Sequence, residues 1–226
     1  MHFGPIVLIA LRYSRGLRHG ALSAFAITLL LAITARASAN INLELRPSFQ
    51  SVLVGNTISL GLYAVSDAPV SQSLSAVEVI VNWDPAFLSL TGDSMAGSPL
   101  LVGSPRFAAD PYHFNDSLTD GDAMWIAFAP LGSPVAATSA GTLLGTFNFL
   151  ALAPTMPGTS PIGLPPSDVP NTGAWPTRST FVYHATIPNL NVVGTLTGAT
   201  IQISVPAPPA MIALLGGLIA PLRRRR

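Results

Sequence analysis

From residue 42 to residue 205 the chain is a series of short period-two runs cut apart by Gly, Pro, Asn, Asp and Ser clusters. Successive side chains of a strand point to opposite faces, so strict alternation marks segments with one buried face. Asn42–Arg46 and Thr57–Val65 alternate in this way. Val77, Val79 and Val81 share one face while Glu78, Ile80 and Asn82 take the other. Met124–Ala129 repeats the pattern around Trp125 and Phe128, and Thr142–Ala151 carries Leu144, Phe147 and Phe149 as its bulky members. Phe181–Thr186 and Val192–Val205 complete the set. No segment between these runs keeps a helical period, so the reading is all-β, a sandwich or a barrel. Leu152–Trp175 holds Pro154, Pro157, Pro161, Pro165, Pro166 and Pro170 and reads as a long loop or irregular edge, with one short strand near Ile162.

The two ends carry different instructions. Arg12, Arg15 and Arg18 precede an uncharged apolar stretch, Ala21–Ile33, and then Ala37-Ser38-Ala39. A positive segment, an apolar segment and small residues at the cleavage-critical positions make residues 1–39 a signal peptide, read by the secretion machinery and signal peptidase at Ala37, Ala39 and Asn40. The competing reading is an N-terminal membrane helix. Residues 205–226 run through a Pro-rich break, an apolar run and Arg223, Arg224, Arg225 and Arg226. Pro206, Pro208 and Pro209 exclude helix and sheet and keep the backbone accessible to a processing enzyme. Met211–Leu222 is suited to enter a bilayer as a short helix, and the arginines stay cytoplasmic. A full span takes about 20 apolar residues, and 210–222 provides about two-thirds of that, with Gly216, Gly217 and Pro221 inside it. Such a helix suits a transient membrane stop better than a permanent anchor, which is the alternative.

This tail resembles the PEP-CTERM signal, whose pattern is Val-Pro-Glu-Pro, an apolar helix and a basic terminus. Here Val205, Pro206, Ala207 and Pro208 occupy the motif, with Ala207 where the family has Glu. The resemblance implies cleavage by a membrane-embedded protease of the exosortase kind. It also implies a Gram-negative bacterium that makes exopolysaccharide, with the chain delivered to its cell surface or extracellular matrix.

Removing both ends inverts the charge. Of eleven arginines only Arg46, Arg106 and Arg178 lie between the signals, where all ten acidic residues also lie, so residues 40–204 stand at −7 with no lysine. A basic patch for phosphate backbones is missing, which argues against nucleic acid as a partner. With no cysteine there is no disulfide framework and no thiol nucleophile. Stability must come from the core, which about 165 residues can supply as one domain.

A second resemblance covers most of Ile41–Val205. Val54-Gly-Asn-Thr-Ile-Ser-Leu60, then Val77–Val81, Asn82-Trp-Asp-Pro85 and Phe87-Leu-Ser-Leu90 follow the order of cohesin-like domains, as does Gly141–Phe149 with its following Pro/Gly loop. The resemblance implies a nine-stranded antiparallel jelly-roll sandwich related to carbohydrate-binding modules. Cohesins bind small calcium-containing dockerin modules, and no dockerin is visible in this chain.

Chemistry is sparse. His113 and His184 lie in no recognisable motif, and no Gly-x-Ser-x-Gly elbow exists. Glu78 and Asp84 are the nearest strand-borne carboxylates for glycoside cleavage, but Asp84 precedes Pro85 and reads as a turn former. In the acidic stretch Asp110–Asp122, Asp116, Asp120 and Asp122 are the calcium candidates. The stretch lacks the regular acidic spacing with a closing Glu, and Asp120-Gly-Asp122 before a strand reads as a turn. No other cofactor is expected. Trp83, Tyr112 and Trp175, at a strand end or in loops, are the candidate glycan contacts; Trp125 and Tyr183 fall within strands and are expected in the core. The reading is an exported, non-enzymatic surface or matrix protein of structural or adhesive type. The alternatives are a module that binds a polysaccharide or a surface protein and, last, a secreted hydrolase.

Overall fold

The computed structural model describes residues 40–109, 113–167 and 179–206. Twelve strands, and no helix among the described residues, form two sheets. The first sheet is ordered β11-β1-β3-β8-β5, from Val193–Thr197, Ile41–Arg46, Thr57–Ser66, Thr142–Ala151 and Leu88–Ser94. The second is ordered β10-β4-β9-β12-β2, from Phe181–His184, Gln72–Trp83, Ser160–Gly163, Ala199–Ser204 and Phe49–Leu53. β6 (Asp122–Phe128) and β7 (Val135–Ala137) both pair with β4. The sheets close over one core of alternating side chains. Ile41, Leu43 and Leu45 of β1, Ile58, Leu60 and Leu62 of β3, and Phe147 and Phe149 of β8 meet Val77, Val79 and Val81 of β4, Trp125 of β6 and Ile201 and Ile203 of β12. Each such aliphatic side chain stabilises the fold by about 2 kcal/mol relative to leaving it in water.

The all-β sandwich is as expected, with two corrections. Twelve strands are described where nine antiparallel ones were expected, and the sheets are mixed because the first and last described runs, 41–53 and 193–204, each switch sheets. β1 leaves the first sheet at the cis Arg46-Pro47 bond and continues as β2 in the second. β11 does the same at Gly198, where a Cβ would collide with the carbonyl oxygen of Ile162. The two halves pair in parallel, β1 with β11 and β2 with β12. Parallel pairing carries the described chain in at one pole, beside Val192, and out at the other, beside Val54.

Other local features follow from single residues. A register shift at Leu62/Tyr63 lets both Leu144 and Phe147 face inward across Gly145, over which the Trp125 ring lies. Asp84 forms the expected turn: its Oδ1 accepts from Ala86 N–H at 2.9 Å and its carbonyl from Leu88 N–H at 3.0 Å. The Pro-rich stretch holds the short strand β9 across Ile162, while 168–178 lie outside the described residues. Residues 1–39 and 207–226, which hold the expected signal peptide and all of the expected tail beyond Pro206, also lie outside them; among the described residues no helix is long and apolar enough to cross a membrane.

Candidate binding groove

The outer face of β6–β4–β10 departs from the polar outside expected of a sandwich. Ile80 of β4 and Met124 of β6 point away from the main core yet are 1% exposed. Phe114 covers them, forming a second small apolar cluster with Ile126. Asn115 fastens that covering loop: its Nδ2 donates to the carbonyls of Ala108 and Met124, and its Oδ1 accepts from Met124 N–H.

The loop covers only half of the face. Beyond Ile126 the sheet opens into a groove of about 460 Å³, with Ala76 and Glu78 on the floor, Ile126 and Phe128 on one side, and Tyr183 and the turn His184–Asn189 on the other. A second cavity of about 460 Å³ shares Ser75, Ala76, Phe128, Ala185 and Thr186 and extends along Ala129–Gly132 and Pro134. Its exposed apolar lining is Phe128 (43% exposed) and Leu131 (fully exposed), and Ile187, 51% exposed, lies between the lining residues Thr186 and Pro188. Leu101 N–H bonds the Phe128 carbonyl at 2.8 Å, which sets exposed Leu101 and Val102 alongside. Glu78 is almost fully buried at the floor.

Among the described residues the groove's Ser75 hydroxyl and His184 imidazole Nδ1 are used by its backbone. His184 Nδ1 accepts the N–H groups of Thr186 and Ile187 at 3.2 and 3.1 Å, so that nitrogen holds the turn. Ser75 Oγ donates to the His184 carbonyl rather than to an imidazole. His113 lies elsewhere, exposed and paired with Asp116 at 2.7 Å. A nucleophile needs a base within hydrogen-bond reach, and at Ser75 the hydroxyl is given to a carbonyl while His184 Nδ1 is held by the turn.

The other candidates are dispersed. Trp83 is corrected: it is 6% exposed, stacked edge-on against Phe149 at 5.4 Å, and offers no face for a sugar ring. It shares the inward face of β4 with Val77, Val79 and Val81, and its indole N–H finds no acceptor among the described residues. Tyr183, expected in the core, is half-buried against Phe181 at 4.5 Å and lines the groove, because the inward position on β10 belongs to Val182. Trp125 is fully buried. Tyr112 and Trp175 lie outside the described residues. Asp116 pairs with His113, Asp120 is exposed in the turn at Gly121 (φ +116°), and Asp122 opens β6 opposite Asn82. Among the described residues no three His, Cys, Asp or Glu side chains are placed to share a metal. Asn40 is exposed immediately before β1, and Val205 and Pro206 are exposed beyond β12. Ala37, Ala39, Ala207, Pro208 and Arg223–Arg226 lie outside the described residues.

The architecture defines a cohesin-like β-sandwich. A cohesin module from a family 33 glycoside hydrolase of Clostridium perfringens superposes with a TM-score of 0.51 at 12% identity, over 75% of this chain and 100% of that one. A cohesin from Clostridium acetobutylicum gives 0.49 at 12% identity over 75% and 94%. A type I cohesin from Pseudobacteroides cellulosolvens gives 0.48 at 13% over the same shares. At such identities the likeness is one of fold. No protein-family model and no curated protein matches the sequence.

Proposed function

We propose that this chain is an exported, non-catalytic binding module whose C-terminal tail delivers it to the cell surface or exopolysaccharide matrix. There the groove on the β6–β4–β10 face holds a segment of a partner protein. The observation that carries this reading is the open half of a sheet face whose other half is sealed by Phe114. Contiguous exposed apolar surface with a polar margin is characteristic of protein-recognition sites. Exposed Phe128 and Leu131 on the lining, with exposed Leu101 bonded beside Phe128 and Ile187 between the lining residues Thr186 and Pro188, suit partner side chains better than sugar hydroxyls. A sugar platform calls for an exposed flat ring, and Trp83 and Trp125 are both buried. Three arginines against ten acids in residues 40–204 favour a basic partner segment. The fold likeness to cohesins agrees with interaction rather than catalysis, though a fold alone assigns no function. Delivery follows from the signal peptide and from an exosortase-type protease acting at Val205–Pro208.

The test replaces Leu131 or Ile187 with a photo-crosslinking amino acid in the producing cells, and Ser59 on the opposite sheet as control. Protein adducts are expected from positions 131 and 187 and not from 59. Equal labelling from Ser59 would contradict the groove assignment. Polysaccharide adducts from 131 and 187 would turn the reading to a glycan-binding module.

A further inference from the structure

The pole from which the described chain exits is apolar, and it sits just before the tail's apolar run. Four stretches are tied together there. Val54 N–H bonds the Ser204 carbonyl at 3.0 Å, Gly55 N–H bonds the Ala151 carbonyl at 2.8 Å, and Thr155 N–H bonds the Ile203 carbonyl at 2.9 Å. Around this knot Leu53, Leu152, Met156 and Val205 are 40%, 43%, 54% and 64% exposed. Residues 53–56, 152–158 and 204–206 contain no charge. In the neighbouring turn Asp84 accepts the Ala86 N–H.

We infer that this pole is a lipid-facing surface, resting on the bilayer that receives Met211–Leu222 until the tail is cut. This inference rests on the sorting-tail reading. Reach is the physical argument: the seven residues from Ser204 to Met211 extend to at most about 25 Å. A tail inserted in a bilayer therefore keeps this pole, where the described chain ends, within about 25 Å of the membrane surface. Four large apolar side chains already exposed there gain by entering the headgroup–acyl boundary, at roughly 25 cal/mol per Å² removed from water. The stretches at this pole hold no basic residue and the neighbouring turn holds Asp84, which removes any electrostatic basis for recruiting the pole to anionic lipid.

The absence of native cysteine makes the test clean. Met156→Cys, Val70→Cys and Ala213→Cys variants of the full chain would each carry an environment-sensitive fluorophore and be reconstituted in phosphatidylcholine vesicles containing a chain-quencher lipid. Val70 is 63% exposed at the opposite pole, where Asp67 N–H bonds the Asn40 carbonyl. Labels at 213 and 156 should lose most of their emission, while the label at 70 keeps it. Quenching at 213 with none at 156 would overturn the lipid-facing pole and leave the tail reading intact. Emission retained at 213 would overturn the tail reading and the inference with it. A 156 label that shifts blue with protein concentration in lipid-free detergent would mean that a second copy covers the pole, overturning the lipid assignment. Leu152→Asp combined with Met156→Asp, both at exposed positions, should abolish shallow quenching at a Val205→Cys label without moving the 213 signal.

Discussion

Trp125→Ala should lower the melting temperature more than any other single truncation of this sandwich. The indole is fully buried, meets Phe147 edge-to-face at 5.7 Å and lies over Gly145. Its Nε1–H donates to Asp93 Oδ2 at 3.0 Å, and the other carboxylate oxygen pairs with Arg106 Nε at 3.2 Å. Truncation of a buried Trp costs about 3–5 kcal/mol in transfer and cavity terms. Here it also takes a partner from a carboxylate whose side chain is 6% exposed. At about 2–4 °C per kcal/mol for a domain of this size, a fall of roughly 10 °C is expected by calorimetry. Trp125→Phe separates the two contributions: the ring volume is largely kept and the Asp93 bond is lost, for a loss of about 1–3 kcal/mol. Equal effects of the two substitutions would show that the cavity contributes nothing, contrary to the packing seen at Gly145.

Gly198→Ala is the second large effect. The added Cβ would meet the carbonyl oxygen of Ile162 and lie 3.2 Å from Gly163 Cα, both backbone atoms that cannot swing aside. Relief requires β12 to move away from β9, to which Ala199 and Ile201 pair. Overpacking typically costs about 1–3 kcal/mol. The damage should be local, because β12 alone supports β2 among the described strands. Hydrogen exchange should therefore speed up at Phe49–Leu53 and Ala199–Ser204 while β3 and β8 stay protected. Gly103→Ala is the control, since a Cβ there meets nothing within 4 Å and the φ is not left-handed. Matching losses at 103 and 198 would contradict the steric account.

These two sites show what was legible in the sequence. Alternation located β1, β3, β4, β6, β8 and β10 because each puts apolar residues on one face against the shared core. It missed β2, whose Phe49 and Leu53 face outward and whose Gln50 faces inward, the reverse of the usual pattern. It ran β11 and β12 together, since a sheet crossing at Gly198 leaves the period almost undisturbed. β7 is too short, at three residues, to show a period.

The groove was less legible still, because its walls come from β4, β6, β10 and the turns that follow, which only the folded sheet brings together. One local signal did point to it. Met124, Ile126 and Phe128 are apolar on the face opposite Trp125, so β6 is apolar on both sides, as strands covered on both faces are. Tyr183 belonged to that second face rather than to the core. Trp83 is no glycan contact, and alternation gives the reason: it follows Val77, Val79 and Val81 on the same face of β4, so its ring points into the core.

In the function proposed above, the sandwich is exported and released as a unit from the proposed signal peptide and sorting tail. Intact-mass and terminal-peptide mapping of the native protein, with membrane and extracellular fractions compared, tests this most directly. The expected result is an extracellular species that begins at Asn40 and ends within Val205–Pro208, with no trace of Arg223–Arg226. A membrane-bound species that retains the four arginines would contradict it, making the chain a permanently tethered binding domain facing the periplasm.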